Sequence, residues 1–324
     1  MPRLLTLTLN PALDVFTTVD RVEPQHKLRC SSADLHPGGG GINVARVLHR
    51  LGADVEAVFP AGGVAGNTVQ ALLRAEGVPF RALPIAADTR ESFSVHEQAS
   101  GQDYRFVLPG PTLTPQELQA CVDAVVATQA DTLVLSGSLP PGAPDTLYAQ
   151  VADAVRARGT RVVVDTSGAP LDLALGAGVY LIKPSLRELE HLAGRELANE
   201  ADQLDAAQQC VRQGQADIVA VSLGADGAML VTRDLALRAS GLPVNVASTI
   251  GAGDSFVAGL VWALGDGQDL QSAFRAGMAA GTAALLSAGT ALCDPRDIER
   301  LRHQVQIRTL APGLRAAGAA PAGA

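Results

Sequence analysis

Short apolar runs with strand-like spacing alternate with longer helix-like runs along most of this chain, and that order leaves few folds open. Leu4–Leu9, Val55–Phe59, Leu133–Ser136, Arg161–Asp165, Val179–Ile182 and Ile218–Ser222 read as strands. Ile42–Leu51, Val69–Glu76, Leu147–Arg158 and Ala201–Gln213 carry helical spacing. The alternation predicts an α/β fold: a mostly parallel, doubly wound sheet with helices on both faces. Ligands of such sheets bind in the loops beyond the carboxyl ends of the strands.

Two segments break the alternation. Val15–Leu35 and Ser92–Leu108 hold strand patterns with no helix between them, and Phe93–His96 and Tyr104–Val107 flank a turn containing Gly101. They read as a small antiparallel β lid beside the main fold, with lid segments at about 15–36 and 89–108. Such a sheet can cover a site or meet its copy in a partner subunit.

The 324 residues suffice for one large core, placed at 1–308, and the Ala/Gly/Pro-rich residues 309–324 are expected to form a disordered tail. A net charge of −8 with no Lys/Arg run argues against nucleic acid as a partner. Cys30, Cys121, Cys210 and Cys293 form no C-x-x-C pair, so free thiols in a reducing cytoplasm are expected. Ala276–Cys293 lacks charge, but Gly, Ala, Ser and Thr dominate it, so it reads as a close-packed helix and turn and not as a membrane span. The first ten residues alternate Leu with Thr like a strand, unlike a secretory leader.

The most specific local signal is Ser248-Thr249-Ile250-Gly251-Ala252-Gly253-Asp254-Ser255, a glycine turn entering an apolar helix. Its N–H groups and the positive helix end suit phosphate oxygens. Asp254 either satisfies the helix start or takes a proton from an attacking hydroxyl. A second loop, Pro37-Gly38-Gly39-Gly40-Gly41-Ile42-Asn43, is either a hinge or a place where a ligand touches backbone, with Asn43 suited to a sugar hydroxyl. Asp14 after Pro11, the Ser136–Gly142 loop, Lys183–Leu189 with Glu188 early in a helix, and the Ser222–Gly227 turn each follow a strand. Turn or first-turn chemistry alone also explains each of these four. No G-x-x-x-x-G-K-[ST] is present, and no G-x-G-x-x-G follows the first strand, which argues against a P-loop enzyme and a nicotinamide dehydrogenase.

With Gly38–Ala45 and Ser248–Ser255 together, the chain resembles the ribokinase family of sugar kinases, phosphofructokinase B type, over about residues 1–308. Within it the chain is most similar to the minor-isozyme type of bacterial 6-phosphofructokinase, through Lys27–Cys30, Pro37–Gly41, Ala99–Gly101, Tyr104–Val107 and Ser136–Gly142. Related 1-phosphofructokinases and tagatose-6-phosphate kinases carry a lysine where this chain has Gly40. The resemblance implies a ribokinase-like fold and transfer of a phosphoryl group from ATP to the C1 hydroxyl of fructose 6-phosphate. It also implies a homodimer formed through the lid. Asp254 would be the base, with Gly251, Ala252 and Gly253 holding the migrating phosphoryl group. Asp14, Gly39, Asn43 and Ser138 would bind the sugar, and Lys27, Arg90 and Arg105 its phosphate. Lys183, Ser185, Ser222, Gly224 and Gly227 would line the nucleotide site, and Glu188 would orient Mg²⁺ through water. Ser248, Ile250, Ala284, Ser287 and Gly289 would form a loop for a monovalent cation, K⁺. Two departures stand out: Ser185 replaces the asparagine of the family's Asn-x-x-Glu motif, and Ser287 and Ala291 stand where resembling enzymes often have Asn and Arg. A serine hydroxyl cannot copy the reach of that amide.

Overall fold

The computed structural model describes residues 2–312. The elements run β1 (Arg3–Leu7), β2 (Ala12–Val19), β3 (Asp34–Gly38), α1 (Gly40–Arg50), β4 (Asp54–Ala61), α2 (Gly63–Ala75), β5 (Phe80–Pro84), β6 (Arg90–Glu97) and β7 (Gln102–Val107). Next come α3 (Pro115–Val126), β8 (Thr132–Ser136), α4 (Leu147–Arg156), β9 (Arg161–Asp165), α5 (Ala169–Gly176), β10 (Val179–Ile182), α6 (Leu186–Ala193), α7 (Glu200–Arg212) and β11 (Ala216–Ser222). The chain closes with β12 (Ala228–Val231), β13 (Leu235–Ala239), α8 (Ala252–Gly265), α9 (Leu270–Ala284), α10 (Pro295–Arg302) and β14 (Ile307–Pro312).

The large sheet has the order β14-β13-β12-β11-β10-β9-β8-β1-β4-β5. From β11 to β5 every pairing is parallel, and β12, β13 and β14 add an antiparallel edge. Its central strands, such as Leu133–Leu135 and Val162–Val164, are buried on both faces, which is why they read as continuous apolar runs. One apolar layer joins α1, α2, α8, α9 and α10 to one face, and a second joins α3 to α7 to the other. Strand order reverses at β1, between β4 and β8, and the crevice at that switch point is where such sheets hold ligands.

β3, β2, β6 and β7 form the small sheet in that order. β2–β3 and β6–β7 pair antiparallel as expected, while β2 and β6 join them through a parallel pairing across Ala12–Val19 and Arg90–Glu97. That parallel join is possible because α1, β4, α2 and β5 lie between them in the chain and supply the crossover.

The uncharged segment from Ala276 is buried helix and turn: α9 lies so close to α8 that a Cβ on Gly259 would stand 2.7 Å from the Ala276 carbonyl oxygen. No helix among the described residues is long and apolar enough to cross a membrane. The tail expected from 309 begins later, because Thr309 to Pro312 belong to β14 and pair with β13. Arg308 helps seat that edge by pairing with Glu200 of α7. Residues 313–324 lie outside the described residues.

Candidate active site

The first glycine run is a place of close approach and not a hinge. A Cβ on Gly38 would collide with the Asp14 carboxylate, and one on Gly40 with Ser136 Oγ. The run thereby brings three segments together: the start of β2 with Asp14, the end of β8 with Ser136, and the start of α1 with Asn43.

Gly251 opens α8 in the left-handed region at φ 77°, and no side chain caps the helix. The leading N–H groups of α8 therefore face the crevice without a protein side chain on them, as an anion site requires. Asp254 sits in the first turn, but its carboxylate serves another partner: Asn43 Nδ2 donates to Asp254 Oδ2 at 2.8 Å. Burial lifts the Asp254 carboxyl to about 6, and the charge of Asp165 adds to that rise. The bond from Asn43 and the charges of Lys183 and Arg105 pull the other way. A carboxylate poised there can accept a proton near neutral pH.

Lys183, just past β10, places Nζ 3.2 Å from Asp165 Oδ1 at the end of β9. Burial alone would lower this ammonium, but Asp165, Glu188 and Asp254 hold its pKa above the usual lysine range. It stays charged beside Gly253, whose Cβ would stand 3.5 Å from Nζ.

Asn43, Ser136, Asp165, Gly251 and Asp254 border a cavity of about 310 Å³ that also takes in Asp14, Gly39, Arg90, Arg105, Ser138, Glu188 and Ile250. The small sheet roofs it with Asp14, Arg90 and Arg105. Burial pushes the Asp14 carboxyl up, opposed by Arg105, Arg90 and Arg46. Arg90 ties the roof down: Nη1 donates to the Leu108 carbonyl and Nη2 to the Asn10 carbonyl, each at 3.0 Å. Ser138 Oγ accepts a bond from Asn10 Nδ2 at 3.1 Å.

Beyond Glu188 the surface opens. Ser185 caps α6: its Oγ accepts from Glu188 N–H at 3.3 Å, and the Glu188 carboxylate accepts from Ser185 N–H at 2.7 Å. Ser222 N–H donates to the Pro184 carbonyl at 2.9 Å, which brings the β11 turn with Gly224 and Gly227 beside Lys183 and Ser185. All five residues of the nucleotide group, Lys183, Ser185, Ser222, Gly224 and Gly227, lie outside the cavity lining itself. Among the described residues no cluster of three or more acidic, His or Cys side chains could cage a metal. Glu188 at the cavity wall is instead the single-carboxylate arrangement that Mg²⁺ uses when phosphates and water supply its other ligands.

Ser248 and Ile250 lie in the turn before α8, which meets the end of α9 with Ala284 and Ser287, while Gly289 lies against Phe16 of β2. Ala247 N–H donates to the Leu285 carbonyl at 2.7 Å, and Ile250 N–H to Ser248 Oγ at 3.2 Å. The last carbonyls of α9 point the negative helix end into this loop, which suits a cation.

Lys27 stands apart from the other residues expected to bind the sugar phosphate. It is exposed in the loop between β2 and β3 and does not border the cavity of its own chain, because that loop runs off the end of the small sheet. The sequence reading noted Asp165 only as an acid ending a strand, although the structure gives it the ion pair with Lys183 and a place in the cavity wall. Its position at a strand's carboxyl end, as for Asp14, was the available signal. Ser136, at the end of β8, carried the same signal, and Arg46 carried none.

Fold and site together define a carbohydrate kinase of the ribokinase-like class: a doubly wound sheet, a β lid, and a buried carboxylate beside a glycine turn at a helix N-terminus. Residues 8–297 match the model of the pfkB family carbohydrate kinases, and the chain belongs to that family. It is 49% identical over 301 residues to the ATP-dependent 6-phosphofructokinase isozyme 2 of Mycobacterium tuberculosis, covering 92% of this chain and 88% of that one. It is 41% identical to the Escherichia coli protein of the same name, covering 93% and 98%. More distant relatives are named 1-phosphofructokinase, one from Borreliella burgdorferi at 30% identity over 95% of this chain and 99% of its own. The crystal structure of E. coli phosphofructokinase-2 with fructose 6-phosphate superposes with a TM-score of 0.89 at 40% identity, covering 94% of this chain and 99% of that chain. The same enzyme with potassium gives 0.90 at 41%, with the same coverage. An Arabidopsis thaliana ribokinase shares the fold at a TM-score of 0.73 and 23% identity, over 93% and 98% of the two chains.

Proposed function

We propose that this chain is an ATP-dependent 6-phosphofructokinase, transferring the γ-phosphoryl group of ATP to the C1 hydroxyl of fructose 6-phosphate to give fructose 1,6-bisphosphate. The observation that carries this is Asp254, buried beside an uncapped helix N-terminus and bonded to Asn43 from the first glycine loop. Phosphoryl transfer depends on positioning and charge stabilisation more than on covalent help. Asp254 accepts the C1 hydroxyl proton as that oxygen attacks. The N–H groups of Gly251, Ala252 and Gly253 meet the charge on the transferring group.

Asp14, Gly39, Asn43 and Ser138 bind the sugar hydroxyls. Arg90 and Arg105 hold the 6-phosphate, a task that suits the guanidinium fork. Lys183, Ser185, Ser222, Gly224 and Gly227 take the nucleotide, with the Lys183 ammonium aimed at its phosphates. Glu188 would hold Mg²⁺ through water, and the ion would supply positive charge against those phosphates. K⁺ fits the carbonyl-rich loop of Ser248, Ile250, Ala284, Ser287 and Gly289. The small sheet exposes Leu35, Phe93 and Phe106, which the strand register puts on one face, an apolar surface that supports pairing of lids in a homodimer. In this reading Lys27 reaches phosphate across that pairing. Four free thiols accord with a cytoplasmic setting.

The test is an ADP-release assay with Mg-ATP comparing fructose 6-phosphate, fructose 1-phosphate and tagatose 6-phosphate by kcat/KM. A clear preference for fructose 6-phosphate is expected. Preference for fructose 1-phosphate would keep the mechanism and overturn the acceptor.

A further inference from the structure

Arg46 lies one turn after Asn43 on α1 and is only 1% exposed, a burial at which a guanidinium persists only when its charge and donors are met. Its Nε donates to the Glu76 carboxylate at 2.9 and 3.1 Å, and Nη2 donates to it at 2.7 Å. Nη1 donates to three acceptors from three segments: the Pro37 carbonyl at 3.2 Å, the Thr290 carbonyl at 3.0 Å and Asn43 Oδ1 at 3.4 Å. A guanidinium has no acceptor, so the amide atom facing it must be the oxygen. The Asn43 nitrogen is thereby left to face Asp254, where it donates at 2.8 Å.

The next turn of α1 repeats the device. Arg50 Nη1 donates to the Ala291 and Cys293 carbonyls at 2.7 and 3.1 Å, and Nη2 shares Glu76 at 3.4 Å. Those carbonyls flank Leu292, which sits at φ 63° and packs its side chain over Gly251. Arg50 makes no hydrogen bond to Asn43.

We propose that Arg46, anchored by Glu76, is a positioning residue that locks the Asn43 amide in the one orientation that donates to Asp254. The proposal rests on Asp254 acting as the base. It explains how a carboxylate so buried is kept ready to ionise: the one neutral side-chain donor to it among the described residues is held from behind by a cation that never touches Asp254. The other charged groups that face Asp254 are Asp165 on β9, Lys183 after β10 and Arg105 on β7, and none of them changes in the test.

The test follows the Asp254 carboxyl by ¹³C NMR across pH in the free protein, so it needs no sugar phosphate. Arg46→Lys keeps the charge and loses the fork; it is expected to raise the Asp254 midpoint by about one pH unit, the loss of one hydrogen bond to a charged group. Asn43→Ala is expected to raise it equally, and adding Arg46→Lys to Asn43→Ala is expected to change nothing more. Arg50→Lys, which loosens the same clamp without touching Asn43, is expected to leave the midpoint in place. Glu76→Gln weakens the anchor while leaving Arg46 present; it is expected to move the midpoint the same way by less, and it carries the test should Arg46→Lys fail to fold. A wild-type midpoint in Arg46→Lys, an equal shift in Arg50→Lys, or a further shift in the double variant would overturn the proposal. The expected titrations combined with no turnover on any sugar phosphate would overturn the functional reading instead and leave the positioning role standing.

Discussion

Asn43 and Asp254 stand 211 residues apart in sequence and meet through one hydrogen bond of 2.8 Å. That bond joins the helix that follows the first glycine run to the helix that follows the second, across the cavity.

Asp254→Asn is expected to keep the fold and lose about 10²–10⁴-fold in turnover, the usual weight of a general base. Because Asp254 does not cap α8, the substitution removes no helix contact. Its folded pKa is raised from 3.8 to about 6, so its contribution to stability is full below pH 4 and is lost as pH rises through 6. Asp254→Asn therefore melts at or above the wild-type temperature at pH 7.5, and the gap closes by pH 4. Melting curves at the two pH values check this, and a large loss at pH 7.5 would contradict it.

The specificity constant is expected to carry an acid limb. Below about 6, where Asp254 becomes protonated in the free site, log kcat/KM falls with unit slope. A flat profile from pH 5 to 8 would remove Asp254 from the proton transfer.

Arg105 borders the cavity and makes no hydrogen bond or ion pair among the described residues, whereas Arg90 holds two backbone carbonyls. Arg105→Ala is thus expected to raise the KM for the sugar phosphate about tenfold or more with the melting temperature unchanged. Arg90→Ala should raise KM and lower the melting temperature as well. Equal melting losses in both variants would refute the distinction.

Glu76 compensates a fully buried cation. Glu76→Ala leaves Arg46 unpaired in the core, at a cost of about 3–5 kcal/mol. Arg296→Ala removes an ion pair at a 90% exposed arginine, where water screens the charges, and is expected to cost far less. Urea titrations of the two variants would compare them directly.

Ser185→Ala removes the cap of α6 and is expected to cost about 1 kcal/mol, while Ser185→Asn keeps a good cap. If the shorter hydroxyl limits Mg-ATP binding, Ser185→Asn also lowers the KM for Mg-ATP; an unchanged KM would show that the cap is all this position supplies.

The strand and helix order, the β6–β7 hairpin and the glycine turn before α8 could be read from the sequence because each depends on local chemistry. Apolar runs of strand length, turn residues and first-turn acids mark themselves within a few residues. Even β14 failed that reading where Thr309 to Pro312 looked like tail, since only pairing with β13 makes them a strand. Asp14, Asn43 and Asp254 were legible as candidates, but the bond that unites two of them was not.

What the tertiary structure alone decided is which groups face each other across the switch point at β1. Asp165 became part of the site because Lys183 comes to 3.2 Å from it, and Lys27 left the cavity because its loop runs off the sheet. Arg46 looked like one more helix residue until folding buried it between Glu76, Asn43 and the Thr290 carbonyl. A sequence determines local periodicity and turn chemistry; the pKa of a carboxylate and the orientation of an amide depend on burial and on partners hundreds of residues away, which exist only once the chain is packed.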